Sequence, residues 1–332
     1  MLRQNTQPLS QPKPGASALL RAPLGALQQA YAANRALTLL GVLMLTMLGA
    51  SLAGLALDPR VINGAPAWLK PLKFAISIAL YSFTLLWMLS FVENRPRLVR
   101  AISWVSLLAF LVETVVIIAQ VLRGTTSHFN VGSAFDQALF SFMGMFVLAI
   151  WAMNLLAAIL LLAQRMADPA LAWALRLGLL LTLLGAGLGF LMTRPTAEQL
   201  AGLRAGQAPT VIGAHSVGAP DDGPGMPVTH WSTTGGDLRV AHFVGLHAMQ
   251  ALPIVGLLLA RRRRLSARRR LALVWVAGLS YLALIGLAAW QALRGQPLLA
   301  PDATTLAAAA AWLGATALGV VGAWGLGATP EA

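Results

Sequence analysis

Glu113 lies near the middle of the apolar run 101–122, and no other carboxylate lies as deep inside such a run. An ionised acid at that depth costs about 2.5–3.5 kcal/mol on insertion scales, so Glu113 must face protein or water, or hold a proton. Two chemistries follow: a proton site, or a hydrogen bond between buried helices. Gln120 falls about 20° off the same helical face and roughly 10 Å further along, and Arg123 closes the run. Glu113, Gln120, Arg123, Ser127, His128 and Asn130 thus trace a polar path from mid-membrane to one surface.

The chain holds 5 histidines. His215 and His230 fall in a Gly/Pro-rich connection and read as solvated loop residues. His242 and His247 sit in the dense polar stretch Gly236–Gln250 that enters an apolar run, where polar groups usually face a bundle interior and mark a site. Their spacing leaves the rings about 140° apart on a helix, poor for sharing one ion. Arg239 shares a face with His242, and Gln250 with His247. His128 is the remaining imidazole near the end of a run. His128, His242 and His247 are therefore the candidates for a transition metal, or for a haem that takes axial imidazoles from two helices. Ser127, His128 and Asp136 can be written as a triad, but no oxyanion donor is placed beside them.

Cations gather near the same ends. Lys70 and Lys73 follow Trp68 in Leu69-Lys70-Pro71-Leu72-Lys73-Phe74, which parallels Leu238-Arg239-Val240-Ala241-His242-Phe243. Arg123 in Gln120-Val121-Leu122-Arg123-Gly124 parallels Arg294 in Gln291-Ala292-Leu293-Arg294-Gly295. Such cations either snorkel at headgroup level or attract carboxylate and phosphate.

These parallels extend to a third place. Leu45-Thr46-Met47-Leu48-Gly49-Ala50-Ser51-Leu52 returns as Leu181-Thr182-Leu183-Leu184-Gly185-Ala186-Gly187-Leu188, and all three matches keep their order. The chain therefore reads as a duplication, with one long insertion in the second copy. Gly49 with Ala53, and Gly185 with Gly189, are small-xxx-small spacings suited to close helix approach.

Hydrophobic residues are 58% of the chain and charged residues 11%, which excludes an ordinary soluble domain. Eight apolar runs are long enough to cross a bilayer core as helices: 36–57, 74–92, 101–122, 138–163, 173–192, 240–260, 271–293 and 304–326. They lack the alternation of a membrane barrel. The expected fold is all-α: an integral membrane protein with eight transmembrane helices as two tandem parallel four-helix repeats. The first repeat is 36–163 and the second 173–326, joined by a linker at 164–172, with tails at 1–35 and 327–332. The long loop 193–239 opens with Thr196-Ala197-Glu198-Gln199, a capping box that starts a short helix through Arg204.

A net charge of +13 raises the question of nucleic acid. Its distribution answers with topology. Arg261–Arg264, Arg268–Arg270, Arg95, Arg97, Arg100, Arg165, Arg176 and the N-terminal Arg3, Lys13, Arg21 and Arg35 fall on one face when eight helices are threaded in order. By the positive-inside rule both termini are cytoplasmic, the loop 193–239 is outside, and no nucleic-acid partner is needed. The chain has no cysteine, which excludes thiolate nucleophiles, zinc-thiolate sites and iron–sulfur clusters. Phosphate-binding glycine loops, His-Glu-x-x-His helices and Gly-x-Ser-x-Gly elbows are also missing.

The stretches Arg123–Asn130 and Gly236–Gln250 resemble segments of bacterial multi-spanning membrane proteins with no assigned activity. The resemblance implies a bacterial inner-membrane location and carries no functional residue with it.

The first expectation is thus a binding or transport protein for a small anionic or amphiphilic molecule, with the lipid bilayer as its surroundings. Lys70, Lys73, Arg123, Arg239 and Arg294 would attract the ligand on the outer face. Gln120, Gln250 and Gln291 would orient it, with Glu113 as a proton site. The alternatives are a haem- or metal-binding redox protein using His128, His242 and His247, and an assembly factor without a ligand.

Overall fold

The computed structural model describes residues 16–262 and 264–326. Arg3, Lys13, the rest of segment 1–15, Arg263 and the expected tail 327–332 lie outside the described residues. The described residues are mostly helical, with two short antiparallel strand pairs. Helix α1 (Ala16–Ala33) turns the second half of the expected N-terminal tail into structure and meets α2 (Arg35–Leu57) across Asn34. The hairpin β1 (Val61–Ile62) and β2 (Ala65–Pro66) leads into α3 (Leu69–Leu89). Then follow α4 (Pro96–Leu122), α5 (Ala134–Ala163) and α6 (Pro169–Met192). The long connection contains α7 (Ala197–Arg204) and β3 (Ser216–Val217), which pairs antiparallel with β4 (Gly236–Asp237). Helices α8 (Leu238–Leu246), α9 (Ala248–Ala260), α10 (Ala267–Leu293) and α11 (Ala303–Gly325) complete the chain.

Polar residues set the helix starts. Asn34, Ser133, Asp168, Ser266 and Asp302 each accept a main-chain N–H of the first turn through the side chain, satisfying donors that have no intrahelical partner. Thr196 and Gln199 form the reciprocal capping box that the sequence signals.

Among the described residues seven helices are long and apolar enough to cross a membrane, and α8 with α9 makes an eighth if that bent pair is one span. Their faces explain why. The most apolar window of α11 has a mean hydropathy of 1.7, yet only 6% of it is buried against protein. Leu306, Leu313, Leu318 and Val321 all point outward. In water that surface would be an aggregation patch, whereas hydrocarbon covers it at no cost. The chain is a helical membrane protein.

Helix α2 packs along α3 and α4 along α5, while α6 packs along α8 and α9 and α10 along α11. Helices α5 and α6 join the two groups, and α3 touches α9. Leu85, Met88, Ile102, Leu161, Leu175 and Met249 form a common core across them.

The sixth span is broken. Helices α8 and α9 meet at 43°, with His247 at the joint. A break inside a membrane frees main-chain groups that each cost several kcal/mol when unpaired. Thr182 of α6 satisfies two of them: its hydroxyl donates to Leu246 O (3.1 Å) and accepts from Met249 N (3.1 Å). Close approach makes this reach workable, because Gly185 of α6 lies directly against Gly245 of α8. The expected small-residue contact therefore operates at Gly185. At Gly49 it does not: a Cβ there would meet nothing within 4 Å.

Two connections are built alike. Gln120 donates to Thr126 O (3.3 Å), Gly124 takes φ +74°, and Arg123 bonds Asp136 (2.6 Å) at the start of α5. Gln291 donates to Pro297 O (2.8 Å), Gly295 takes φ +73°, and Arg294 bonds Asp302 (2.6 Å) at the start of α11. Each arginine clamps the loop between consecutive helices.

Candidate functional site

One cavity of about 130 Å³ opens where the long connection covers the bundle. Its polar wall includes Lys70, Lys73, Ser127, His128, His215 and Asp221, and its apolar wall includes Leu69, Ile117, Val121 and Phe129. The α3 start supplies the lysines, the loop after α4 supplies Ser127 and His128, and the stretch before and after β3 supplies His215 and Asp221. At roughly 30 Å³ per water, the space suits a few waters or one small headgroup.

The charge in this chamber is unbalanced. Trp68 caps α3 without a side-chain hydrogen bond, and the first turn has no acid. A helix N-terminus already carries partial positive charge, so lysines there are opposed. Neither Lys70 nor Lys73 is ion-paired among the described residues. Lys70, Lys73 and Arg239 lie close enough to repel one another. The carboxylate acting on Lys70 is Glu113, which is 2% exposed and has no hydrogen-bond partner at either oxygen.

The histidines differ from their expected roles. His215 is half-buried in the cavity wall rather than solvated, and its Nδ1 bonds Asp221 Oδ2 at 2.8 Å. Asp221 also accepts the main-chain N–H groups of His215 (2.9 Å) and Ser216 (2.7 Å). Burial works to raise the Asp221 carboxyl, but these hydrogen bonds outweigh it and the net shift is downward. Burial lowers His215, with Arg239 and Lys70 adding, so its ring is neutral near pH 7 despite the pull of Asp221. The pair is therefore a hydrogen bond to a carboxylate, with His215 Nε2 left over, rather than an ion pair. His128 is pushed well below its ordinary value by burial, then by Lys70, His215 and His242. Its Nδ1 bonds Ser127 Oγ (3.1 Å), while Asp136 bonds Gln120, Arg123 and Ser133, so no Ser–His–Asp triad forms.

The remaining sequence candidates divide. Lys73 Nζ donates to Thr229 O (2.9 Å), and Arg239 Nη2 donates to His230 O (2.6 Å) while forking Asp237. His242 Nδ1 lies 2.7 Å from Gly185 O, at the edge of the cluster that includes His128 and His215. His247 Nδ1 meets Gln250 Oε1 (3.3 Å), and Gln250 reaches Thr84 of α3 (3.1 Å), tying the broken span to the first helix group. Gln120 and Arg123 are engaged with Asp136. Gln291 lines a separate pocket with Asp237 and Gln296, and Arg294 is engaged with Asp302. Among the described residues no group of three metal-ligating side chains forms, so His128, His242 and His247 are not gathered around one centre.

Sequence reasoning missed His215, Asp221, Thr229 and Thr182. For His215 a signal existed, since Asp221-Asp222 follows it within one loop. For Thr182 none did, because its partner atoms are main chain of a helix distant in sequence. No protein-family model matches the chain, and no curated protein and no solved structure matches it.

Proposed function

We propose that this is a membrane binding or transport protein that takes up a small anionic or amphiphilic molecule in the chamber between the start of α3, the end of α4 and the long connection. The observation that carries the reading is the pair Lys70 and Lys73: unpaired cations on an uncapped helix start, lining a cavity whose other wall is partly apolar. Cations so placed attract an oxyanion, and the apolar wall accommodates a short carbon body.

In this reading the chain is a tandem duplication, and the chamber lies near the junction of its halves. Three parallels support this: the alike clamps at Arg123 and Arg294, the short antiparallel pair before both α3 and α8, and the matching order of helix contacts. The arginine-rich connections are cytoplasmic, with both termini, and the cavity faces outward across a bacterial inner membrane. A broken helix beside a polar site is common among transporters, which is why transport is preferred to simple binding.

Glu113 is the proton site in this reading, since it is buried within α4 and neither of its oxygens has a hydrogen-bond partner among the described residues. In proteoliposomes loaded for uptake of radiolabelled phosphate or acetate, Glu113→Gln is expected to abolish stimulation by a pH gradient. Helical content and monodispersity should be unchanged. Stimulation equal to that of the unaltered protein would remove Glu113 from the mechanism.

A further inference from the structure

The segment Met226–Trp231 lies against Lys73, one of the residues that line the chamber, and its construction is unusual. Met226 N donates to Trp231 O (2.8 Å) and His230 N to Met226 O (2.9 Å), so it forms one compact loop. Val228 and His230 take φ of +66° and +55°, a left-handed conformation that a β-branched residue rarely adopts. Thr229 Oγ1 and His230 Nε2 are buried with no hydrogen-bond partner. A segment with two strained residues and two orphaned polar atoms is held in place by something else.

What holds it is a pair of cations. Lys73 donates to the carbonyl of Thr229, and Arg239 to the carbonyl of the next residue, His230. The two come from different helices, α3 and α8, and electrostatically each opposes the other. Arg239 is also forked by Asp237, so Lys73 is the one of the two without a counter-ion among the described residues, and a neutral carbonyl is a weak partner for it. A carboxylate or phosphate forms shorter bonds, roughly twice as strong. Lys73 also lines the cavity, so an anion arriving there meets its ammonium beside the Thr229 carbonyl.

We propose that Met226–Trp231 is a displaceable plug in an oxyanion site formed by Lys73 and Arg239. The carbonyl oxygens of Thr229 and His230 hold the places that two oxygens of a carboxylate or phosphate take when ligand binds. Displacement frees Val228 and His230 from their left-handed conformation and carries Thr229 Oγ1 and His230 Nε2 into water. The ligand's oxyanion is either a free solute or the headgroup of an anionic lipid. This assignment rests on the reading of the chamber as an anion site.

The chain has no cysteine, so Thr229→Cys provides a single thiol at the plug. Its labelling by a membrane-impermeant maleimide is measured in nanodiscs of zwitterionic lipid, alone, with inorganic phosphate and with acetate. A further arm uses nanodiscs containing anionic phospholipid and no added solute. Labelling is expected to rise about tenfold with an oxyanion, equivalent to about 1.4 kcal/mol. A rise with phosphate or acetate assigns a soluble ligand, and a rise confined to anionic nanodiscs assigns a headgroup. Lys73→Ala, with Lys73→Gln as a milder second variant, is expected to raise basal labelling and erase the oxyanion response. Phosphate bound calorimetrically without any rise in labelling overturns the plug and leaves the binding function standing. Labelling that responds to the Lys73 variants but to no oxyanion also overturns it, leaving only a tied loop.

Discussion

Gly185→Val is expected to cost the protein most of its stability, while Gly49→Val costs almost nothing. A Cβ at Gly185 would fall on the main chain of Gly245 and Leu246, where no side chain can move aside. Helices α6 and α8 would have to separate. That separation would break the bond from the His242 ring to Gly185 O and both bonds of Thr182 to the helix break. Overpacking a tight contact costs about 1–3 kcal/mol, and orphaned buried polar groups add about 1–3 kcal/mol each. Together these approach the about 5–15 kcal/mol that stabilises a typical protein. Gly49 has open space around it, so valine there only adds surface to lipid. Thermal melting and the yield of monodisperse protein in detergent measure both variants. Equal melting of the two would refute the close crossing.

Asp237→Asn is the second large expected effect. Asp237 is 2% exposed and caps α8 by accepting Arg239 N (2.9 Å). It also accepts Ser232 N (2.7 Å) and forks the Arg239 guanidinium, whose side chain is 14% exposed. The amide keeps the shape but removes the charge, leaving a largely buried cation without its counter-ion. Breaking a buried pair in this way costs about 3–5 kcal/mol. The loss should fall on the segment 216–237, because Asp237 ties β4, Ser232 and the plug to α8. Limited proteolysis within 193–237 is expected to accelerate together with a drop in melting temperature. The double variant Asp237→Asn with Arg239→Gln should recover part of the loss by removing the stranded charge. A single variant that resists protease like the unaltered protein would show that the pair does not hold the connection. The pairs Arg60–Asp58 and Arg294–Asp302 are much more exposed, and their removal should matter far less.

The parts of this structure that were legible in the sequence are those governed by local rules. Apolar runs located the spans, and the capping box at Thr196 marked the start of α7, whereas the Asp168 cap, which starts α6 about a turn before the expected run, went unread. The expected run 240–260 hid its break, because Gly245, Leu246 and Ala248 continue the apolar pattern and the stabilising hydroxyl belongs to Thr182. Pro253 lies six residues beyond the joint and gave no warning of it.

At the site, residue types were legible and partnerships were not. Lys70, Lys73, Glu113, His128 and Arg239 stood out because charge near a membrane is costly, whatever it touches. Arg123 and Arg294 stood out equally, yet the structure binds them to Asp136 and Asp302 as clamps. Nothing in the spacing separated clamp from chamber, since the deciding carboxylates lie beyond the next turn. His215 was hidden for the opposite reason. Loop composition predicts solvation, and only the fold of the connection back over α3 buries it.

Calorimetric titration of detergent-purified protein with inorganic phosphate and with acetate tests the anion chamber most directly. One saturable site is expected for at least one of them, lost in Lys70→Met/Lys73→Met and retained in Arg294→Gln, with all proteins equally helical and monodisperse. Binding that survives in the double lysine variant, or no binding of either anion by the unaltered protein, would contradict it.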